Sequence, residues 1–428
     1  MTSATARGTA VFLLDRIIGD HQLLSDLIAQ GALDRLAPAD RARAQRLTQD
    51  TLRGLERADR ILAKFLRKPP PLPVHNILRL GTVELCQGGD AHGVVNEMVR
   101  VVGKSKRHGN LKGLINAVLR KVAEDGPRKW HDLRLPRLRG WLREPLVTAW
   151  GQGAVTAMER AHFAGAPLDL TARGDPEAVA EAVGGSVLPT GSVRLAEAGQ
   201  VSALPGYAQG AWWVQDAAAA IPARVLAPRP GEQVLDMCAA PGGKTLQLAA
   251  AGAKVVALDL SDRRMARVAE NLKRTGLTAT CLTEDALRHA GGPYEAILLD
   301  APCSATGTIR RHPDLPFAKD GSDFAALIGL QAAMIDHALK LLAPAGRLVF
   351  CTCSLLPDEG ECQIEEALRR YDGLQVDRAA LALPGIDPGW ITPDGGLRLR
   401  PDHWPERGGM DGFYIACLRR EPPKRGLG

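Results

Sequence analysis

Through the first 125 residues, apolar positions recur at three- and four-residue spacing, and no stretch alternates apolar with polar. Val11, Leu14, Ile17 and Ile18 line up with helical period; Leu47, Leu52, Leu55 and Ile61 do the same behind Pro38, which suits a first helical turn. Further helices are predicted over 75–87, 94–102 and 111–122. The run Pro69-Pro70-Pro71-Leu72-Pro73 removes backbone donors and restricts the residue before each proline, so it reads as a connector between helices. The front of the chain is therefore predicted to be all-α.

Between 126 and 150 the periodicity fades. Pro127, Pro136 and Pro145 punctuate a predicted linker carrying Trp130, Trp141 and Trp150, whose indoles either stack on bases or serve packing, the commoner use of tryptophan. From 151 to 210 the pattern becomes short strand, helix (176–183) and short strand, a small α+β segment. Residues 211–420 then alternate strand and helix, with predicted strands at 234–237, 254–259, 280–283, 296–300 and 346–354. This is the signature of a largely parallel α/β sheet, Rossmann-like in order. Residues 421–428 read as a short polar tail.

A chain of 428 residues is long enough for these separate cores. Its net charge of +6 is unevenly placed: residues 1–140 carry 25 Lys and Arg against 14 Asp and Glu, a net of +11, which leaves −5 for the rest. A basic front half suits a polyanion, and the loop Gly103-Lys104-Ser105-Lys106-Arg107-His108 concentrates cations ahead of a helix. The eight cysteines include no C-x-x-C pair and no zinc spacing, so neither a metal nor a disulfide scaffold is expected. The first apolar run is broken by Asp15 and Arg16, and neither a signal peptide nor a membrane span is legible. A cytoplasmic protein is expected.

The chemistry is concentrated at the ends of the predicted strands. Cys238-Ala239-Ala240-Pro241-Gly242-Gly243-Lys244-Thr245 is a turn of small residues between a strand and a helix, where backbone N–H groups can approach a ligand. It misses the phosphate-binding G-x-x-x-x-G-K-T pattern because Cys238 stands in place of the first glycine. Asp259 ends the next strand and is placed for two ribose hydroxyls; Asp285, after the third, suits an adenine amino group. The fourth strand runs into Asp300-Ala301-Pro302-Cys303-Ser304 and the fifth into Cys351-Thr352-Cys353-Ser354, bringing cysteines to one crevice. Side-chain alternation puts Cys351 deeper in the sheet and Cys353 at its rim.

These strings resemble known families. Segments 77–81, 92–97 and 113–120 are similar to signatures of the NusB-like RNA-binding fold, with Gly93 where alanine is usual. Gly210 to Asp216 resembles the G-x-x-x-V-Q-D entry to a methyltransferase domain; Gln215 either faces the cofactor pocket or, like Asp216, caps the following helix. Residues 234–245, 300–315 and 351–357, with the closing Asp411-Gly412-Phe413-Tyr414, resemble RNA cytosine-5 methyltransferases. The combination is similar to the RsmB (Sun, Fmu) family of 16S rRNA methyltransferases.

The resemblance implies S-adenosylmethionine (SAM) bound by Cys238, Ala239, Ala240, Pro241, Gly242, Gly243, Lys244, Asp259, Asp285 and Asp300. It implies Cys353 as the nucleophile toward C6 of cytosine and Cys303 as the residue assisting product release, with Asp300 at the N3 edge and Lys244 compensating charge. Thiolate addition is what that ring requires, since C5 is otherwise a poor nucleophile. Two departures from the pattern are Ala305, where glycine is usual after Cys303-Ser304, and Thr171-Ala172-Arg173 in place of Arg-Val-Asn. The expected partner is RNA, with 16S rRNA as substrate for a monomer. The alternatives are the same chemistry on tRNA or 23S rRNA, or an RNA-binding or antitermination factor without catalysis.

Overall fold

The helical period of the first third is realised as five principal helices, Ala6–Asp20, Pro38–Leu62, Leu72–Cys86, Ala91–Gly103 and Lys112–Trp130, in a computed structural model that describes residues 5–196 and 199–420. The tail at 421–428 lies outside the described residues. The apolar stripes of these helices, including Leu14, Ile17, Leu52, Ile61, Leu78, Leu80, Met98 and Leu119, meet in one core. Arg7 ties the first helix to two others: its guanidinium lies 2.6 Å from Glu84 and 2.7 Å from Glu97. The prolines at 69–73 fall between two helices, the second opening at Leu72.

The expected linker at 126–150 is mostly helix. The helix from Lys112 continues through Pro127 to Trp130, and a second helical run spans Gly140–Ala164 with a break at Gly151, where φ is +78°. Proline costs the helix one hydrogen bond, but Trp130 is buried in the core, so closely against Gly54 that a methyl group there would lie 2.8 Å from the indole. Burying that ring outweighs the lost bond. Arg57 caps the arrangement by donating to the carbonyls of Trp130, Leu133 and Arg134.

The chain divides into two compact units, Met1–Ala164 with Ile309–Gly321, and Gly165–Thr308 with Ser322–Gly428. Segment 309–321 thus belongs with the helices, which its sequence pattern did not predict. Its Ile309, Pro313, Leu315 and Pro316 are buried; the Leu24 N–H donates to Asp314 at 2.9 Å, and Arg53 donates to the Arg310 carbonyl at 2.9 Å.

The second unit holds two sheets. The smaller has the order β2-β3-β1-β4, with β1 Leu168–Ala172, β2 Ser186–Val187, β3 Val193–Leu195 and β4 Trp212–Val214. Helix Pro176–Val183 covers it. The α+β segment therefore begins near 168 rather than 151, and it takes in Trp212 and Trp213, expected as part of the larger domain. Arg194 fixes this sheet through a buried two-pronged pair with Asp169, at 2.6 and 2.7 Å.

The larger sheet runs β10-β12-β9-β8-β5-β6-β7, with β11 on β12. Its strands are β5 Gln233–Met237, β6 Lys254–Asp259, β7 Thr280–Thr283, β8 Tyr294–Asp300, β9 Leu342–Thr352, β10 Leu374–Val376, β11 Leu397–Leu399 and β12 Phe413–Arg420. β5 to β9 are parallel; β12 pairs antiparallel with β9. Period-two alternation sends Leu235, Ile297, Leu299 and Phe350 to one face under helices Phe324–Leu341 and Glu361–Arg370, and Val234, Leu298 and Val349 to the other. Phe324–Leu341 has the length and apolarity of a membrane span, yet its Met334, Ile335, Ala338 and Leu339 are part of this core. The helix predicted from 217 begins at Ile221, its first turn holding Pro222.

Candidate active site

In an open parallel sheet, the loops beyond the carboxyl ends of the strands form the binding crevice. All the candidate residues lie on such loops or strand ends. The 238–244 turn leaves β5 with Cys238 at φ +62° and Gly242 at φ +104°, a left-handed pair of positions that reverses the chain within a few residues before the helix Gly243–Ala250. The turn is held from two sides: the Ala239 N–H donates to the Leu258 carbonyl at 2.9 Å and the Ala240 N–H to Asp259 Oδ2 at 3.2 Å. Asp259 also accepts from the Ser261 N–H and pairs with Arg264 at 3.2 Å, and Arg264 donates to the Ala240 carbonyl. Asp285 stands two residues beyond β7, its side chain 43% exposed, accepting from the Leu287 N–H.

Beneath the turn, Asp236 is fully buried, and Thr245 donates to its Oδ2 at 2.6 Å while Oδ1 has no partner. Desolvation pushes this carboxyl up to about 7. A raised acid pKa costs stability as pH climbs: below about 4 the group is neutral folded and unfolded, from about 4 to 7 only the unfolded chain ionises, and above 7 the cost is constant. Comparing the chain with its Asp236→Asn variant in chemical denaturation between pH 4 and 8 should show the wild type losing about 4 kcal/mol relative to the variant across that window. A gap independent of pH would mean that Asp236 is already ionised in the fold.

Lys244, one helical position on, reaches across to Asp300 at the end of β8, Nζ to Oδ2 being 2.7 Å, and lies 5.4 Å over the Phe413 ring. Burial works to lower the Lys244 pKa, but Asp300 and the neighbouring sulfurs outweigh it, so the ammonium is held above its ordinary value. Asp300 is directly opposite Cys351 in the β8–β9 pairing.

Cys351 is fully buried; burial, then Asp300, pushes its thiol well up. Cys238 is likewise pushed up to about 12 by burial and then by Asp300 and Asp259. Cys353, just past the end of β9, is half-buried, and its sulfur is 3.5 Å from that of Cys303 on the loop after β8. The contact with Cys353, then burial, raises the Cys303 thiol well above its ordinary value.

Sequence reading missed what fixes this spacing. Glu359, fully buried, accepts from the Ser304 N–H at 2.8 Å and Ser304 Oγ at 2.5 Å, and from Gln331 at 3.1 Å; its own carbonyl accepts from Thr352 Oγ1. Gln331 also donates to the Pro302 carbonyl at 2.8 Å. Ser304, Thr306 and Ser354 form a triangle of hydroxyls at 3.2 Å, and Arg398, paired with Glu361, donates to the Ser354 carbonyl. Gly307 donates to the Cys353 carbonyl at 2.9 Å, and a methyl group on Gly307 would lie 2.0 Å from the Gly412 carbonyl. Ala305 sits between them at φ +59°, the left-handed region that glycine enters freely and alanine at a cost of about 1 kcal/mol. Gln215 and Asp216 both serve structure: Gln215 bonds Trp213, Gln247 and the Ala219 carbonyl, while Asp216 accepts from the Ala218 and Asp411 N–H groups.

The residues present fit a nucleoside-bearing methyl donor. Ribose hydroxyls and an adenine amino group are hydrogen-bond donors, and carboxylates stand where they need acceptors, at the ends of β6 and β7. Leu260, beside Asp259 and 75% exposed, supplies an apolar surface at the same rim.

Comparison with known proteins agrees with this arrangement. Residues 223–419 match the family described as 16S rRNA methyltransferase RsmB/F, and residues 4–124 match the NusB family. The ribosomal RNA small subunit methyltransferase B of Pseudomonas syringae pv. tomato is 38% identical, over 94% of this chain and 93% of its own. The protein of that name from Pseudomonas putida is 37% identical over 99% of both. A methyltransferase homolog from Pyrococcus horikoshii, known from its crystal structure, superposes with a TM-score of 0.55 at 27% identity, covering 65% of this chain and 94% of that one. Likeness along nearly the whole length, with the helical and α/β parts matched in the same order, establishes that this chain belongs to the RsmB/F family of 16S rRNA methyltransferases.

Proposed function

We propose that this enzyme methylates C5 of a cytosine in 16S rRNA, with SAM as donor and Cys353 as a transient covalent nucleophile. The observation that carries the reading is the 3.5 Å pairing of Cys303 and Cys353 at the carboxyl ends of adjacent parallel strands, beside the Lys244–Asp300 pair. A bound donor supplies an electrophilic methyl group on a sulfonium. The turn 238–244 with Asp259 and Asp285 holds the donor's nucleoside, and Asp300 and Lys244 complete that side of the crevice.

The Cys353 thiolate adds to C6 of the cytosine, forming an S–C6 bond and giving C5 enamine character. The ring must be turned out of its stack to admit this attack. Asp300 meets the N3 edge, and the Lys244 ammonium balances the charge that addition places on the ring. C5 takes the methyl group; a base then removes the C5 proton, the S–C6 bond breaks, and the thiolate returns to Cys353. One proton is released per methyl transferred. Cys303, within hydrogen-bond reach of the departing sulfur, assists this last step. An rRNA substrate puts the work in the cytoplasm.

The test is transfer of labelled methyl groups to 16S rRNA lacking the modification, followed by nucleoside analysis. The label is expected in 5-methylcytidine at a discrete position. Label on an exocyclic nitrogen, or on tRNA or 23S rRNA in preference, would overturn the reading.

A further inference from the structure

The helical unit contains a cleft of about 350 Å³, the lower part of the range for ligand sites, that the methyl-transfer chemistry does not use. Its walls are apolar and aromatic, with Leu138, Phe163 and Phe317 among them. At its side lies His162, 7% exposed, with neither ring nitrogen bonded. Burial, then the nearby Arg310, lowers the pKa of this imidazole to about 3, so at neutral pH it offers one donor and one acceptor. Such a group left without partners in an apolar wall is costly unless something else bonds to it.

The cleft also has unusual charge. The carboxylates among its lining are committed within the unit: Glu56 to Arg60, Arg134 and the Arg137 N–H, Asp59 to Arg79, and Glu159 to Arg143 and the Leu138 N–H. The guanidinium groups of Arg137 and Arg139 are exposed and, among the described residues, paired with no carboxylate; Arg139 instead lies 4.6 Å over the Phe317 ring. Aromatic walls, a two-edged polar ring inside and unpaired guanidinium groups outside are the elements that recognise a nucleotide: stacking for the base, hydrogen bonds for its edge, cations for its phosphate.

We propose that this cleft binds one unstacked nucleotide of the rRNA, its base between Phe317 and Phe163 against His162 and its phosphates on Arg137 and Arg139. The proposal rests on the rRNA reading above and adds a contact remote in sequence from the cysteines. Phe317 belongs to segment 309–321, which follows the Cys303 loop directly in the chain, so one strand of backbone serves both the nucleotide and the thiol pair.

The experiment uses the full chain and 16S rRNA transcribed without modification, measuring retention of the RNA on filters across a salt series, without methyl donor. Arg137→Ala with Arg139→Ala is expected to weaken binding about tenfold or more and to lower the salt slope by about two. His162→Phe keeps the volume, so its thermal midpoint should match or exceed the parent's, and yet it should bind the RNA about tenfold more weakly because the base edge loses its partner. Unchanged affinity and slope in both variants would overturn the cleft while leaving methylation by the parent intact. If the parent chain neither binds nor methylates the RNA, the rRNA reading itself fails.

Discussion

Cys353→Ala is expected to yield a folded protein that still binds 16S rRNA and forms no methylated product, a loss of at least about 10⁴-fold, the order seen when a covalent nucleophile is removed. Cys303→Ala should give the opposite signature: a protein–RNA adduct that survives denaturing electrophoresis, because addition and methyl transfer proceed while release stalls. The two outcomes follow from position. Cys353 stands at the rim past the end of β9, and Cys303 touches its sulfur from the neighbouring loop. Cys351, pointing into the core two positions earlier, should tolerate Cys351→Ala or Cys351→Val with a modest change in stability and persistent activity. An adduct trapped by the Cys353 change would exchange the two roles.

Glu359→Ala is expected to lower unfolding free energy by at least about 3 kcal/mol and to reduce turnover severely. The substitution leaves the Ser304 N–H, the Ser304 hydroxyl and the Gln331 amide without their acceptor, all buried, and each such loss costs about 1–3 kcal/mol. It also releases the loop that carries Cys303 from the end of β9. Glu359→Gln, which keeps one acceptor oxygen, should lie between the two in denaturant midpoint and in turnover. If Glu359→Ala unfolds at the parent's midpoint and turns over at the parent's rate, the buried carboxyl does not hold the thiols at their spacing.

The fold was legible where residue spacing is itself the physical cause. Leu235 and Met237 facing away from Val234 is the alternation a two-sided sheet needs, and the Cys238–Lys244 turn is visible because small residues interrupt that alternation. The linker was misread because its prolines are strong local signals, whereas Trp130 earns its helix from contacts with Gly54, far back in the chain. Segment 309–321 carries no period at all; its place with the helices depends on contacts such as Asp314 with Leu24, 290 positions apart. At the site, strand-end acids and cysteines could be read from position. Glu359 could not, since Ser304 is 55 residues away and an isolated Glu after Pro-Asp looks like an exposed turn.

Where Gly307 meets Gly412, main chain lies on main chain with no room for a methyl group, and the Gly412 N–H closes the contact on the Gly307 carbonyl at 2.8 Å. The gap between the two sulfurs is therefore gauged by rigid peptide planes, which leave less play than flexible side chains would. Any bulkier residue at either glycine would act as a wedge, opening the jaw of the enzyme without touching a single reacting atom.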